Sequence, residues 1–257
     1  MSDVSDGVAS RVDCHTKVLN EAVIERATEA GLDAMVYAPH FRRLPEIREI
    51  AARYSTEELL VIPAREVFTG TWTDRKHVLA LGLEDPVPDF ISLEAAMAEF
   101  DRQDATVLVP HPEFATVSLT AADLYRYEGT IDAIEIFNPK HLPHHNRRAR
   151  ELATELEYPP YTSSYAHLPR SIGSAYTVFE RAIETERDLL DALDDGVSRR
   201  VVYKNGLRRW RTTANELLHL GYENTWEKAD RLFLSGTEPT HPDHIAYDGR
   251  FDDAAVY

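Results

Sequence analysis

The feature that most constrains the fold is the alternation of short apolar segments with amphipathic ones over residues 12–200. Runs such as residues 59–62, 77–81 and 106–109 are apolar and have the length of buried strands. Residues 93–103 instead place apolar side chains at helical spacing. Because strands that alternate with helices are typical of βα units, the sequence predicts an α/β fold.

Local signals place individual elements along this alternation. Asn20 is a good helix N-cap and Gly31 is a good helix terminator, so we predict a helix between them. Residues 175–193 are predicted as one long helix. Further strands are predicted at residues 33–37, 131–137 and 161–164, and further helices at residues 120–127 and 144–156.

The tail of the chain has a different pattern. Residues 200–211 are predicted as a β-hairpin on an Asn205-Gly206 turn, followed by a helix over residues 212–220. The simplest division is one main domain at residues 11–200 and a C-terminal extension at residues 201–257, packed on the domain or trailing from it.

Side chains of the types that bind metals or anions recur where the predicted strands end. They are Asp13, His15, Lys17, His40, Glu66, His111 and His167. The carboxyl ends of parallel barrel strands open onto one rim, so these side chains are expected to converge there. Histidine and carboxylate ligands together suit Zn²⁺, Mn²⁺ or Fe²⁺. A single histidine at a strand end is more often a structural hydrogen-bonding residue, but several in chain order favour a shared site.

The charge of the chain bears on its partners. The formal net charge is −16, from 44 acidic against 28 basic residues, and such a field repels phosphate backbones. Nucleic acid is therefore an unlikely partner on charge alone. Only 5 of the 28 basic residues are lysine. This composition is typical of acidic proteins from high-salt cytoplasm, and an ordinary acidic enzyme is the alternative.

Other features of the composition point to the cytoplasm. The sequence has no apolar run long enough to cross a membrane, so no membrane partner is expected. Its first residues are acidic and polar, unlike a signal peptide. The single cysteine, Cys14, fits a reducing compartment, and strand alternation predicts that it is a small buried hydrophobe.

Short motifs around the strand ends sharpen this interpretation. They are, in chain order, Val12 to Lys17, Gly31 to His40, Glu66, His77 before Gly82, His111-Pro112, Ile134 to Asn138, and Ser163 to His167 followed by Ile172-Gly173. Over residues 11–200 these segments resemble the motifs of the polymerase and histidinol phosphatase (PHP) family in both order and spacing.

The resemblance implies a distorted TIM-like (β/α)₇ barrel. It also implies a site for up to three divalent metals that clamps a phosphate ester and activates water. Carried over motif by motif, the metal ligands would be His15, His40, Glu66, His77, His111 and His167. Members of the family include phosphatases, phosphoesterases and polymerase-associated domains.

Three positions depart from the family pattern. Lys17 replaces the second histidine of the opening D-x-H-x-H motif, while Pro39 and Tyr165 replace aspartates. Closely spaced dications need bridging anions, and Glu66 is the main carboxylate that remains. We therefore predict one or two metal ions, with Lys17 pairing with Glu66 in place of another.

Two main hypotheses for function follow. The first is a metal-dependent hydrolase, a phosphoesterase acting on a small phosphorylated molecule, with Lys17 and Tyr165 as catalytic residues. Arg42, Arg43 and Arg170 would then bind the phosphate, although surface ion pairs are the commoner role for such arginines. The second is a catalytically inactive PHP-like barrel that binds a ligand or partner. A nucleic-acid role is a third and weaker idea.

Histidines outside these motifs are expected to have ordinary roles. His141, His144 and His145 are predicted to lie in a loop and the first turn of a helix, and His241 and His244 in solvated coil.

Overall fold

The chain forms a mixed α/β fold around one curved sheet in a computed structural model that describes residues 9–71, 74–114, 117–204 and 239–256. Among the described residues, the sheet has 9 strands. They are β1 (Ser10–Thr16), β2 (Ala34–Tyr37), β3 (Leu60–Gly70), β4 (Arg75–Leu81), β5 (Thr106–Val109), β6 (Ala133–Phe137), β7 (Pro160–Thr162), β8 (Ala175–Phe179) and β9 (Arg199–Tyr203).

The strands lie in the order β7-β6-β5-β4-β3-β2-β1-β8-β9. β1, β2 and β3 are parallel to one another, as are β5, β6 and β7. β4 is antiparallel to both β3 and β5, so β3 and β4 form a hairpin. β8 is antiparallel to both β1 and β9. The antiparallel strands distort the βα repeat.

The sheet curls until its edges approach each other. β7 lies against β1, β8 and β9. Thr16, the last residue of β1, pairs with Ala166 beyond β7, and the Lys17 N–H donates to the Ala166 carbonyl at 2.9 Å. The Thr162 N–H donates to the Thr177 hydroxyl at 2.9 Å across the same seam. The result is a nearly closed barrel, which confirms the distorted TIM-like fold.

Six α-helices cover the sheet within the described part of the chain. They are α1 (Glu21–Ala30), α2 (Leu44–Tyr54), α3 (Leu93–Arg102), α4 (Ala121–Arg126), α5 (Pro143–Glu155) and α6 (Glu186–Asp194). The predicted limits of α1 are confirmed. The Asn20 side chain accepts the Val23 N–H, and Gly31 ends the helix with a φ of 68°, a left-handed conformation that glycine adopts without strain.

The prediction of one long helix over residues 175–193 was wrong. The first part is strand β8, whose β-branched and aromatic residues are good strand formers. The helix begins only at α6, where Thr185 and Asp188 form a capping box. Sequence patterning also missed α2, which has proline in its first turn.

The C-terminal region is described in part. The predicted Asn205-Gly206 turn, the second strand of that hairpin and the helix over residues 212–220 lie outside the described residues. Residues 239–256 pack against the barrel beside α3, where Tyr247 and Phe251 join the hydrophobic core. The Ser92 N–H donates to the Ala254 carbonyl at 2.9 Å, which fixes the end of this segment. In the described chain, no helix has both the length and the apolar character needed to cross a membrane.

Candidate functional site

Glu66 lies at the centre of the candidate site, inside the mouth of the barrel. Successive side chains of a strand point to opposite faces. Arg65 therefore faces away from the mouth, where its Nη2 is 3.0 Å from Asp89 Oδ1, while Glu66 faces into it. The Glu66 side chain is fully buried, so its carboxylate depends on nearby groups rather than water for stabilisation.

Basic side chains from four strands and their following loops surround this carboxylate. Glu66 Oε1 lies 3.8 Å from His15 Nε2, 3.5 Å from His77 Nδ1 and 3.5 Å from His111 Nε2. Glu66 Oε2 lies 2.9 Å from His40 Nε2 and accepts a hydrogen bond from Lys17 Nζ. The convergence expected from the strand ends is therefore present around one carboxylate. The Lys17–Glu66 pair expected from the sequence is present as well.

His111 is held in a fixed orientation by the loop after β5. The Ser118 hydroxyl donates to the Phe114 carbonyl at 3.0 Å, so the His111 Nδ1–H donates to the Ser118 oxygen, 2.9 Å away. This arrangement leaves the lone pair of Nε2 directed toward Glu66, as in histidines that bind metals. His111 has a φ of 37°, an uncommon value for a residue with a side chain.

Glu66, His77 and His111 have the geometry of a metal centre. One ligand atom from each lies within 4.8 Å of the other two. Glu66 Oε1, His77 Nδ1 and His111 Nε2 are all buried and make no hydrogen bond within the part of the chain that the structure describes. Buried polar atoms normally have partners, and a divalent cation between these three would satisfy them all. One carboxylate and two imidazoles also match the donor preferences of Zn²⁺, Mn²⁺ and Fe²⁺, so the residues fit the ion.

The electrostatics of the site favour the ligand forms of these groups. Burial raises the pKa of Glu66, but Lys17 and the surrounding histidines outweigh burial and hold it well below its usual range. Burial, followed by the charge of Lys17, lowers the pKa of His15 well below normal and that of His40 to about 3. Burial also lowers the pKa of His77. An ionised carboxylate beside neutral imidazoles is the state that binds a metal.

Lys17 and Tyr165 lie beside this centre at positions where the sequence departs from the PHP pattern. Lys17 Nζ donates to the Ala38 carbonyl at 2.6 Å in addition to its contact with Glu66. Burial lowers the pKa of Lys17 to about 8, against the opposing effect of Glu66. The Tyr165 ring lies between His15 and His111, with centroid separations of 4.9 and 5.5 Å. Both residues therefore border the predicted metal position.

His40 and His167 lie toward the opening of the site. Their ring centroids are 5.6 Å apart, and the His40 side chain is 25% exposed while Glu66 is fully buried. His167 Nδ1 lies 2.6 Å from Lys140 Nζ, in the loop between β6 and α5. Lys140 was not among the predicted site residues, because it lies in a loop rather than at the end of a strand.

Glu135 is a second residue near the site for which no role was predicted. It is buried on β6, and its carboxylate accepts the His111 N–H at 2.9 Å, the Asn138 amide at 3.0 Å and the Ser163 hydroxyl at 2.8 Å. Burial raises its pKa, with these donors opposing the effect. Glu135 therefore connects the loop that carries His111 with the segment that leads to Tyr165. A carboxylate inside an apolar strand was the available sequence signal.

The predicted arginines are not drawn into the cluster. Arg43 pairs with Glu46 one turn into α2, with Nη2 2.8 Å from Oε1, and Arg170 is exposed. The backbone carbonyl of Arg42 accepts from Arg65 at 2.8 Å, and its side chain has no observed contact with Glu66 in the described chain. The arrangement around Arg43 is the surface ion pair that the sequence left open.

His141 has a more specific position than a loop residue would require. It is buried, stacks on Phe114 with centroids 3.9 Å apart, and lies 6.2 Å from the His111 ring. Burial, then the neighbouring His111, lowers its pKa to about 2. His141 therefore packs behind the metal-ligand candidate His111.

Comparisons with known proteins agree with the predicted architecture. PsfC from Pseudomonas syringae superposes with a TM-score of 0.65 at 16% identity, over 83% of this chain and 98% of that one. The lesion-specific endonuclease PfuEndoQ from Pyrococcus furiosus gives a TM-score of 0.54 at 14% identity, over 76% of this chain and 58% of that one. An amidohydrolase from Chromobacterium violaceum gives 0.51 at 12% identity, over 73% and 97%.

The sequence comparisons add one family match. No curated protein matches the chain. A family model described as PHP-associated matches residues 143–198, which run from α5 to the residue before β9. This match lies on a barrel of the predicted type, and together they confirm the resemblance to the PHP family that the motifs indicated.

Proposed function

We propose that the chain is a metal-dependent phosphoesterase that hydrolyses a small phosphate ester. The observation that carries this proposal is the convergence of Glu66 Oε1, His77 Nδ1 and His111 Nε2, three buried atoms without a hydrogen bond to any described residue. The hydrolases among proteins of similar fold, an endonuclease and an amidohydrolase, support hydrolysis as the reaction class.

One divalent cation, Zn²⁺, Mn²⁺ or Fe²⁺, is proposed to bind Glu66, His77 and His111. When bound, it would supply Lewis acidity to a phosphoryl oxygen and lower the pKa of a water molecule. A second ion between His40 and His167 is disfavoured, because Lys17 and Lys140 already bring positive charge to that side. The proposal therefore takes the lower of the two metal counts predicted from the sequence.

The protein residues have separate roles in the proposed reaction. A water oxygen forms a bond to phosphorus while the bond from phosphorus to the ester oxygen breaks. The leaving oxygen takes a proton, for which the Tyr165 phenol is the proposed donor, and the proton lost by water restores the phenol. Lys17 offsets the negative charge that develops on the phosphoryl group. The products are phosphate and an alcohol.

The nature of the ester bears on the earlier expectation that nucleic acid is an unlikely partner. The fold likeness to endonuclease Q, including a complex with a 27-mer duplex that carries an abasic lesion, counts against that expectation. This chain covers only 58% of endonuclease Q, however, and its net charge is −16. We propose a small substrate and include a duplex in the test.

The test combines metal analysis with activity. The protein is purified without chelator, its metal content is measured, and hydrolysis of an aryl phosphate and of a duplex with an abasic site is assayed with Mn²⁺ or Zn²⁺. Glu66→Gln and His111→Ala should lose both metal and activity, while Glu29→Gln, a charge-matched change on the exposed face of α1, should lose neither. Absence of bound metal and of turnover in the wild type would instead favour the inactive binding domain.

A further inference from the structure

Two of the proposed metal ligands, His77 and His111, are held by different kinds of contact. The Nδ1–H of His111 donates to the Ser118 hydroxyl, 2.9 Å away, and metal-binding histidines usually give their second nitrogen such a polar partner. Neither ring nitrogen of His77 makes a hydrogen bond within the described part of the chain. The orientation of the His77 imidazole therefore depends on how its ring is packed.

The ring of Phe68 provides this packing. It lies parallel to the His77 imidazole, with centroids 3.9 Å apart and an angle of 8° between the two planes. Both side chains are buried. A flat surface this close limits any tilt of the imidazole, because a tilted ring would collide with it. The stack thus keeps the imidazole in the plane in which Nδ1 lies 3.5 Å from Glu66 Oε1.

The sheet brings the two rings together. Phe68 on β3 lies directly opposite His77 on β4. The Phe68 N–H donates to Asp89 Oδ1 at 2.8 Å, and the Phe68 carbonyl accepts the Phe90 N–H at 2.6 Å. The His77 N–H donates to the Val117 carbonyl at 3.2 Å. These backbone groups point away from the partner strand, so Phe68 and His77 form a non-hydrogen-bonded pair, the kind whose side chains lie closer together.

Phe68 is also held from other directions. The rings of His40 and Phe41 contact it edge-on, at centroid distances of 5.0 and 4.8 Å. Asp89, which accepts the Phe68 N–H, has its Oδ1 3.0 Å from Nη2 of the fully buried Arg65. The Phe68 ring is therefore a fixed surface against which the His77 imidazole can be oriented.

We infer that Phe68 is a positioning residue that orients His77 for metal binding. This inference rests on the proposed metal-dependent function and adds to it a residue that supplies no ligand atom. A ligand side chain that is ordered before the metal binds loses less conformational entropy on binding, and this raises the affinity. Phe68 should therefore affect metal affinity and the geometry around the metal, and it should do so through His77.

The first test measures the Zn²⁺ affinity of the full chain by competition with a chelator. Phe68→Leu and Phe68→Ile remove the flat ring but keep an apolar side chain, and isoleucine also suits a strand. Phe68→Tyr keeps the ring. Phe100→Leu is the matched control, because Phe100 is fully buried on α3, outside the site. We expect the leucine and isoleucine variants at residue 68 to bind Zn²⁺ roughly tenfold more weakly, and the other two variants to stay close to the wild type.

The second test asks whether Phe68 acts through His77. In a His77→Ala background, Phe68→Leu should cause no further loss of Zn²⁺ affinity, because no imidazole remains to be oriented. The visible absorption bands of the Co²⁺-loaded protein report the geometry around the metal. Phe68→Leu should change these bands, whereas Phe68→Tyr and Phe100→Leu should not. A purely structural role of Phe68 would lower stability and leave the bands unchanged.

The outcomes separate this inference from the proposed function. Unchanged Zn²⁺ affinity in folded Phe68→Leu or Phe68→Ile, an equal loss in Phe100→Leu, or the same loss with and without His77 would overturn the inference, while metal-dependent turnover upheld the function. Zn²⁺ binding that depends on Phe68 through His77, without any turnover, would support the positioning role and remove the hydrolase. A wild type that binds neither Zn²⁺ nor Co²⁺ would overturn both.

Discussion

The two ends of the barrel both hold carboxylates, but that of Glu66 is buried and those at the other end are exposed or half-buried. At the mouth, Glu66 is enclosed by Lys17 and histidines, and its pKa is held well below normal despite burial. At the other end, a cavity of about 120 Å³ is lined by Asp101, Asp104, Asp132 and Asp194. There burial raises the pKa of Asp132 to about 6, and a hydrogen bond from the Val107 N–H only partly opposes it.

Strand β5 connects these two ends. The residue before it, Ala105, lines the acidic cavity, and the loop beyond its last residue carries His111. The two ends therefore differ less in the presence of carboxylates than in the groups that surround them. A carboxylate kept ionised by nearby bases, with ligand atoms left unpaired around it, is the more informative sign.

Substitution at Glu66 should have the largest effect on function. Glu66→Gln removes the carboxylate that the proposed metal needs, and metal stabilisation contributes several kcal/mol, so kcat/KM should fall on the order of 10³-fold. Metal analysis should show loss of the ion. Asp132→Asn, the matched change at the other end, should keep both metal and activity. Retention of the metal by Glu66→Gln would contradict the role of Glu66 as a ligand and would remove the proposed difference between the two ends.

Substitution at Lys17 should have the next largest effect, and the property that it changes is the stability of the fold. Removing one partner of a buried ion pair costs about 3 kcal/mol or more of the free energy of unfolding. Metal-free Lys17→Met should therefore unfold at a lower denaturant concentration than the metal-free wild type. Added Zn²⁺ should recover part of this loss, because it neutralises Glu66. Lys76→Met provides the control, since its pair with Asp123 is partly exposed and is worth about 1 kcal/mol at most. Equal losses in the two variants would contradict the role given to Lys17.

Glu135 should have an intermediate effect through His111. Glu135→Gln weakens the acceptor that holds the His111 N–H and the Ser163 hydroxyl, and loss of such supporting contacts lowers metal affinity roughly 10- to 100-fold. Competition with a chelator measures the Zn²⁺ affinity directly. An unchanged affinity would show that Glu135 supports only the fold.

The smallest effect is expected at the acidic end. The folded pKa of Asp132 is about 6 and its reference value is 3.8, so the folded state binds a proton more tightly than the unfolded state. The contribution of Asp132 to stability should therefore fall as pH rises from about 4 to 6 and remain lower above that range. Asp132→Asn should raise Tm at pH 7.5 and match the wild type at pH 3.5. Parallel Tm curves for the two proteins across this range would refute the assignment.

The sequence predicted the parts of the site that follow from strand geometry. Glu66 and His111 could be placed together because they follow apolar runs and barrel strands end on one rim. The Lys17–Glu66 pair was predicted because Lys17 stands where the PHP motif has a metal-binding histidine. Lys140 could not be predicted in this way, because its direction depends on how the loop before α5 turns.

The errors in the fold have local causes. Residues 175–193 combine a strand and a helix with no glycine or proline between Ala175 and Asp194 to mark the change, so apolar spacing alone suggested a single helix. The Thr185 and Asp188 capping box was the signal that would have separated them. The phosphate-binding role predicted for Arg43 stays a prediction, and in the structure α2 places Glu46 within ion-pair distance of it.

The β3–β4 hairpin has a consequence for how such a site can be inherited or transplanted. Glu66 opposes Leu79 and Phe68 opposes His77, so two of the three proposed ligands are carried by one continuous ladder. A slip of one residue in that ladder would turn the His77 imidazole to the opposite face while Glu66 stayed in place. The hairpin therefore fixes the relative position of two proposed ligands by itself. If residues 60–81 were moved into another barrel, the third ligand would have to come from the neighbouring strand.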